Sequence, residues 1–281
     1  KSLDISMAAR FGFFTLTVSV LIILGSDALT TKVEETLQFT YSGATGPDKW
    51  ASLNPNFSLC ATGKLQSPIN IVSAQAVRSS KWKPLIRNYW AVNVTLVDNK
   101  FTVAIEYPDD TGEISLDEKQ YRLKQMHWHS PSEHRINGNR FAAELHMVHV
   151  SDDGKVLVVA TLFQLGRPDQ VLQTIDKKLY ELGSEYRSRS RSRSSEGTAP
   201  IQVGVFHPAE LRTSLRKYYK YTGSSSVPPC TEHLIYLVIA KPRCISKQQV
   251  AALKAPLHIR CKNNARPCQP LNARHVHLYQ D

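Results

Sequence analysis

Lys124–His149 reads KQMHWHSPSEHRINGNRFAAELHMVH, and it holds five of the ten histidines in a chain of 281 residues. His127-Trp128-His129 ends a run in which apolar and polar residues alternate. In a strand, residues two apart share a face. Gln125, His127 and His129 therefore point one way, and Met126 and Trp128 the other. The second half, AAELHMVH, places Glu144, His146 and Val148 on one face and Leu145, Met147 and His149 on the opposite one. Two such strands lying antiparallel would bring His127, His129 and His146 together. Three imidazoles with a fourth position open is the donor set of a catalytic zinc site. Each ligating ring also needs an acceptor for its other nitrogen, and Gln125 and Glu144 lie on the correct face to supply one.

A His-x-His pair alone is a weak sign, since most such histidines are surface residues or satisfied core residues. His275-Val276-His277 has the same spacing with no acidic or amide partner two residues away on the shared face, and is assigned no metal. The first pair gains from Gln125, from the distant Glu144-x-His146 and from Glu133. A cupin site begins in a similar way with His127, His129 and Glu133. That pattern fails at Tyr121, where a glycine is needed, and no later Pro-x-Gly-x-x-His follows.

Outward from this stretch the alternation continues. AVNVTLV, FTVAIEY, QYRLKQMHWH, VLVVATLFQL and EHLIYLVIA are each bounded by turn-forming residues or lie close to them, and they read as strands. DQVLQTIDKKLYELG carries Val171, Leu172, Ile175, Leu179 and Leu182 at helical spacing, with Asp169 as N-cap and Gly183 as C-cap. SKQQVAALK is a second helix, opened by a Ser246/Gln249 capping box. The repeat RSRSRSR at Arg187–Arg193 follows the first helix, and 184–199 reads as an exposed basic loop. The expected architecture is mainly β (α+β). It is a single domain built on a large, mostly antiparallel central sheet with a few short peripheral helices.

The N-terminal residues read differently. Arg10 precedes an apolar run from Phe11 to Gly25, and Ser26-Asp27-Ala28 offers a small-residue cleavage pattern. Residues 1–28 read as a secretory signal peptide, with the start at Met7 and 1–6 as translated upstream sequence. The apolar core is shorter than the roughly 20 residues a spanning helix needs. The expectation is a domain at 29–281 that meets an oxidising compartment. It leaves no membrane attachment after cleavage. The destination would be extracellular or apoplastic, or a plastid reached through the secretory pathway. Asn56 and Asn93 begin glycosylation sequons. The net charge of +11 raises the question of a nucleic-acid partner. The basic residues are scattered outside the arginine–serine repeat, and secretion separates the chain from nucleic acid, so none is expected.

Taken together these blocks resemble an α-class carbonic anhydrase, in particular the secreted plant branch that includes nectarins and the yam storage proteins called dioscorins. The resemblance covers about 36–281. It rests on GPDKW (46–50), QSPINI (66–71), QMHWHSPSEH (125–134), AAELHMVH (142–149), GSSSVPPCTE (223–232) and NNARPCQP (263–270). It implies a Zn2+ cofactor held by His127, His129 and His146, and reversible hydration of CO2 to bicarbonate. Carbonic anhydrase is itself the standard example of this chemistry. The resemblance makes Ser226 and Glu133 a relay that orients the attacking oxygen. It puts Tyr41 in the active-site hydrogen-bond network, and Val148, Val159, Ser225, Val227 and Tyr236 around the CO2 pocket. It pairs Cys60 with Cys230. Of the other cysteines, Cys261 and Cys268 could pair locally, leaving Cys244 free.

Four departures from the family pattern bear on speed. Ser225 replaces a pocket-wall leucine, Val227 removes a hydroxyl, and Tyr236 replaces a common tryptophan. Phe101 falls at the proton-shuttle position, where the family has a histidine whose pKa suits proton transfer. The expectation is stoichiometric zinc with slow, buffer-dependent turnover. The alternative is a storage or binding protein on the same fold. That branch tends to lose the third histidine, and His146 is present.

Overall fold

A computed structural model describes residues 38–79, 85–108, 111–192, 199–211 and 215–280. The signal peptide expected at 1–28 lies outside the described residues.

Ten strands form the spine of a 13-stranded sheet. They are β1 (Val77–Arg78), β2 (Val92–Asp98), β3 (Val103–Glu106), β4 (Lys119–His129), β5 (Ala143–Val150), β6 (Val156–Leu165), β7 (Ile201–Phe206), β8 (Lys217–Ser224), β9 (Glu232–Ile239) and β10 (His277–Gln280). Their order across the sheet is β7-β2-β3-β4-β5-β6-β9-β8-β10-β1. Most neighbours are antiparallel, while β6–β9 and β10–β1 run parallel. A separate three-stranded sheet joins Asn70–Ile71, Arg135–Ile136 and Asn139–Arg140.

Alternation along β4 and β5 sorts side chains between the two faces. Met126, Trp128, Leu145 and Met147 enter the larger core, which Leu179, Leu182 and Leu253 cover from two helices. These helices are α1 (Asp176–Ser192) and α2 (Lys247–Lys254). The opposite face carries the polar site and a smaller core of Ile69, Val158, Tyr221, Tyr236 and Val238. Among the described residues no helix is long and apolar enough to cross a membrane.

The helical segment after β6 departs from the sequence expectation. Asp169 caps Gln170–Thr174 as expected, accepting from the backbone N–H of Val171 and Leu172. The chain then breaks at Ile175 and restarts as α1, which runs through Gly183 to Ser192. Gly183 is thus no C-cap, and 184–192 is helix rather than loop; 193–198 lies outside the described residues. The reason is close packing: a Cβ added at Gly183 would come within 3.1 Å of Ala255 Cβ, just beyond α2. Glycine here lets two elements approach. The capping box of α2 forms as read, with Ser246 and Gln249 satisfying each other's backbone N–H.

Candidate metal centre

Strand register builds the site. His146 on β5 lies directly opposite His127 on β4, and Glu144 lies opposite His129. Ring centroids are 5.0 Å apart for His127–His129, 5.1 Å for His127–His146 and 4.7 Å for His129–His146. One ligand atom from each ring lies within 4.8 Å of the other two.

The hydrogen bonds decide which nitrogens are free. His127 Nδ1 donates to Gln125 Oε1 at 3.0 Å. His129 Nδ1 donates to the backbone carbonyl of Asn264 at 2.6 Å. His146 Nε2 donates to Glu144 Oε1 at 2.7 Å. Each acceptor oxygen only accepts, so each ring keeps its proton on the bonded nitrogen. The lone pairs then sit on His127 Nε2, His129 Nε2 and His146 Nδ1. His129 Nε2 is buried without any hydrogen-bond partner among the described residues. Such an orphan is costly in a protein interior unless something fills the position. This donor set fits a zinc ion, which takes neutral imidazole nitrogens.

The electrostatics agree. Burial pushes His127 well below the ordinary imidazole value, and the neighbouring His129 and His146 add to that. Burial also lowers His129, with Glu133 opposing. Burial disfavours charge on His146 too, but the Glu144 carboxylate outweighs it and raises the ring's basicity. Burial alone would raise Glu144; His134 and His146 reverse this and hold the carboxyl well below the usual range.

Glu144 is the hub behind the site. Oε1 accepts from His146 and, at 2.5 Å, from His134 Nδ1. Oε2 accepts the backbone N–H of Glu133 and of His134, each at 2.8 Å. His134 Nε2 bonds Tyr221 Oη at 2.6 Å. His134 thereby joins Glu144 to the sheet beyond. Sequence reading missed Asn264 and Arg266. Asn264 holds His129 by its carbonyl and Ser130 N–H by its side chain. Arg266 N–H donates to Glu133 Oε1, and its buried guanidinium bonds Gln66, Ser67 and Cys60. The block NNARPCQP was visible, but a backbone carbonyl carries no sequence signature.

Glu133 Oε2 is buried, makes no hydrogen bond among the described residues and lies 3.5 Å from His129 Nε2. Ser226 is nearly buried beside the disulfide loop, and no hydrogen bond joins it to Glu133. Ser225 turns its hydroxyl back on its own loop, donating to the Val227 carbonyl at 2.9 Å. Val227 packs on the Phe39, Trp50 and Phe57 cluster. Tyr41 packs on that cluster, and its buried hydroxyl has no hydrogen-bond partner among the described residues. Phe101 packs on Phe39 at 5.0 Å. Tyr236 flanks His146 at 5.9 Å and donates to the Ser224 carbonyl.

Val159 does not line the site. It pairs with Met147 and points into the larger core. Val158 is the residue opposite Val148, and it shares the site face with Tyr236. A register error of one residue moves a side chain to the other face. Cys60 and Cys230 form a disulfide spanning 170 residues of sequence. Cys261 and Cys268 do not pair; both are free thiols, as is Cys244. Asn56 and Asn93 are exposed.

A mostly antiparallel sheet carrying three converging histidines, each backed by an acceptor, defines the carbonic anhydrase class of fold and site. Residues 45–280 match the eukaryotic-type carbonic anhydrase family, and the chain belongs to it. It is 36% identical to alpha carbonic anhydrase 7 of Arabidopsis thaliana, across 98% of this chain and 96% of that protein. It is 35% identical to dioscorin dioA3 of Dioscorea japonica, across 89% and 88%. Among solved structures it resembles dioscorin complexed with ascorbate (TM-score 0.80, 34% identity, 86% of this chain and 98% of that one). It also resembles the alpha-carbonic anhydrase of Thermovibrio ammonificans in complex with sulfanilamide (TM-score 0.72, 31% identity, 85% and 98%).

Proposed function

We propose that the chain is a zinc enzyme that reversibly hydrates CO2 to bicarbonate, with modest turnover. The observation that carries the reading is the set of three free imidazole nitrogens, each fixed by an acceptor on the far side of its ring. His127, His129 and His146 would hold the ion. Bound zinc supplies a Lewis acid that makes hydroxide accessible near neutral pH.

The remaining roles belong to the protein. Arg266 N–H occupies Glu133 Oε1, which leaves Oε2 as a buried acceptor. We assign that oxygen to the Ser226 hydroxyl. A carboxylate that can only accept sets the direction of the serine proton, so the serine oxygen in turn accepts from the attacking water. This is orientation of the reactant rather than charge. Val148 and Val158 supply apolar wall for CO2. Phe101 has no titratable group, so proton export would pass to water and buffer. Gln125, Glu144 and Asn264 act by positioning the three rings.

The disulfide and the two exposed sequons support passage through the secretory pathway, with Asn56 and Asn93 glycosylated and the product extracellular, apoplastic or plastidial. A second reading, storage or binding without catalysis, draws support from the dioscorin relatives and from the altered Ser225–Val227 loop.

One experiment separates them: zinc content and CO2 hydration of the mature protein beside His146→Ala. The enzyme reading expects one zinc per chain and measurable, buffer-dependent hydration, both lost in the variant. Zinc-free protein, or hydration no faster than the uncatalysed rate, would sink it.

A further inference from the structure

Behind the metal centre the small sheet makes a second, unrelated feature. Asn70 pairs in register with Arg135, and Arg135 with Arg140. Residues directly opposite on neighbouring strands share a face. The three side chains therefore stand in one row. Asn137 and Gly138 close the hairpin with φ of 51° and 81°, the left-handed pair that a tight two-residue turn requires. The turn fixes the register and so fixes the two arginines side by side.

Like charges placed directly opposite each other destabilise a ladder. Neither guanidinium forms a hydrogen bond or an ion pair among the described residues, although ion pairs occur elsewhere on the surface, as at Arg122–Asp152. The Asn70 Oδ1 accepts the Gly138 N–H at 2.8 Å, which leaves its amide N–H groups to point elsewhere. The row lines an open cavity of about 290 Å³, together with Ala265, Pro267 and Cys268.

We infer that this cavity is a binding site for a small oxyanion of the phosphate class, free or carried as a monoester. Arg135 and Arg140 supply a charged, planar donor fork from two sides, and such forks match tetrahedral oxyanions in bidentate fashion. The Asn70 amide adds a neutral donor. The bound anion relieves the repulsion between the arginines, so the sheet is stabilised by what it binds. Ala265 and Pro267 offer an apolar wall for the organic part of an ester. The site is separate from the metal centre, which the three histidines occupy on the large sheet.

The test is calorimetric titration of the full mature protein at constant ionic strength, once with inorganic phosphate and once with phenyl phosphate. Saturable binding is expected for at least one. The tighter of the two identifies whether the anion is taken free or as an ester. Arg135→Gln and Arg140→Gln should each weaken binding at least tenfold. Arg122→Gln, which removes the same charge elsewhere, should change it less than twofold. His146→Ala should also change it less than twofold, which rules out an anion bound at the metal. A second readout needs no variant. Alkylation of Cys268 by iodoacetamide, followed by mass spectrometry of the peptides, should slow at least fivefold in the anion, with Cys244 unchanged as internal reference. Absence of saturable binding, binding that survives both arginine substitutions, loss of binding in His146→Ala, or equal slowing of both cysteines would each overturn the assignment.

Discussion

The chain contains His127-Trp128-His129 and His275-Val276-His277, two pairs of identical spacing around a buried apolar residue. Their surroundings differ. In the first pair the rings lie 5.0 Å apart, both Nδ1 protons meet an oxygen that can only accept, and a third imidazole stands across the ladder. In the second the rings lie 6.5 Å apart, His275 is exposed, and His277 sits opposite Lys220 at the start of β10. Burial, His275 and Lys220 all push His277 below the ordinary imidazole value. Spacing provides two rings on one face. A metal centre also needs acceptors that fix the tautomers and a third donor brought by another strand.

The largest effect should come from breaking the first pair itself. His129→Ala removes a ring whose buried Nε2 makes no hydrogen bond among the described residues. The variant should bind zinc substoichiometrically, and CO2 hydration should fall to the uncatalysed rate. Metal analysis after dialysis together with a stopped-flow assay checks both. Retention of one zinc per chain would mean the pair is not what makes the site.

Next comes the layer of acceptors. Glu144→Gln keeps the size of the side chain but removes the charge that serves His146 and His134. Loss of such an outer partner typically costs about 10–100-fold in metal affinity. Gln125→Leu should act in the same direction on His127, and by less, because a neutral amide is the weaker acceptor. Competition against a zinc chelator measures both. Unchanged affinity in Glu144→Gln would show that geometry alone distinguishes the two pairs.

How much of this was legible in sequence follows from the same contrast. Period-two alternation gave the face shared by Gln125, His127 and His129, and that of Glu144 with His146, because β-strands leave no other choice. The relative register of β5 and β6 is a tertiary fact, so the pocket residue fell on Val159 where the ladder places Val158. Asn264 acts through a carbonyl that every residue has. Gly183 reads locally as a helix end, and only the approach of Ala255 shows why the helix continues. β8 went unread even though Tyr218, Tyr219 and Tyr221 favour a strand and are all buried.

A second histidine on β5 sharpens the comparison within one strand. His149 lies three residues beyond His146, on the opposite face, fully buried and bonded to Tyr89 Oη at 2.7 Å. Burial lowers it to about 4. Its folded pKa lies below the unfolded one, so the unfolded chain binds more protons between them. Stability should therefore fall as pH drops from about 6.5 to about 4, by on the order of 2 kcal/mol at pH 5 relative to pH 7. Chemical denaturation at the two pH values checks it. The difference should shrink in His149→Gln, which cannot gain a proton. An equal loss in the variant would assign the acid sensitivity to other groups.

The smallest effect should come from the second pair. His275→Ala with His277→Ala removes two imidazoles at the far edge of the same sheet, beside β1. If acceptors and a third ring make the metal centre, zinc should stay at one per chain. CO2 hydration should be unchanged, and stability should move by no more than about 0.5 kcal/mol, as for most surface substitutions. The measurement has power because wild-type protein is the internal standard. A chain holding two zinc ions that drops to one in the double variant would show that His-x-His spacing suffices. The distinction between the two pairs would then fail at its root. One zinc in both proteins, lost only on substitution at His127, His129 or His146, ties metal binding to the oxygens of Gln125, Asn264 and Glu144 rather than to the motif.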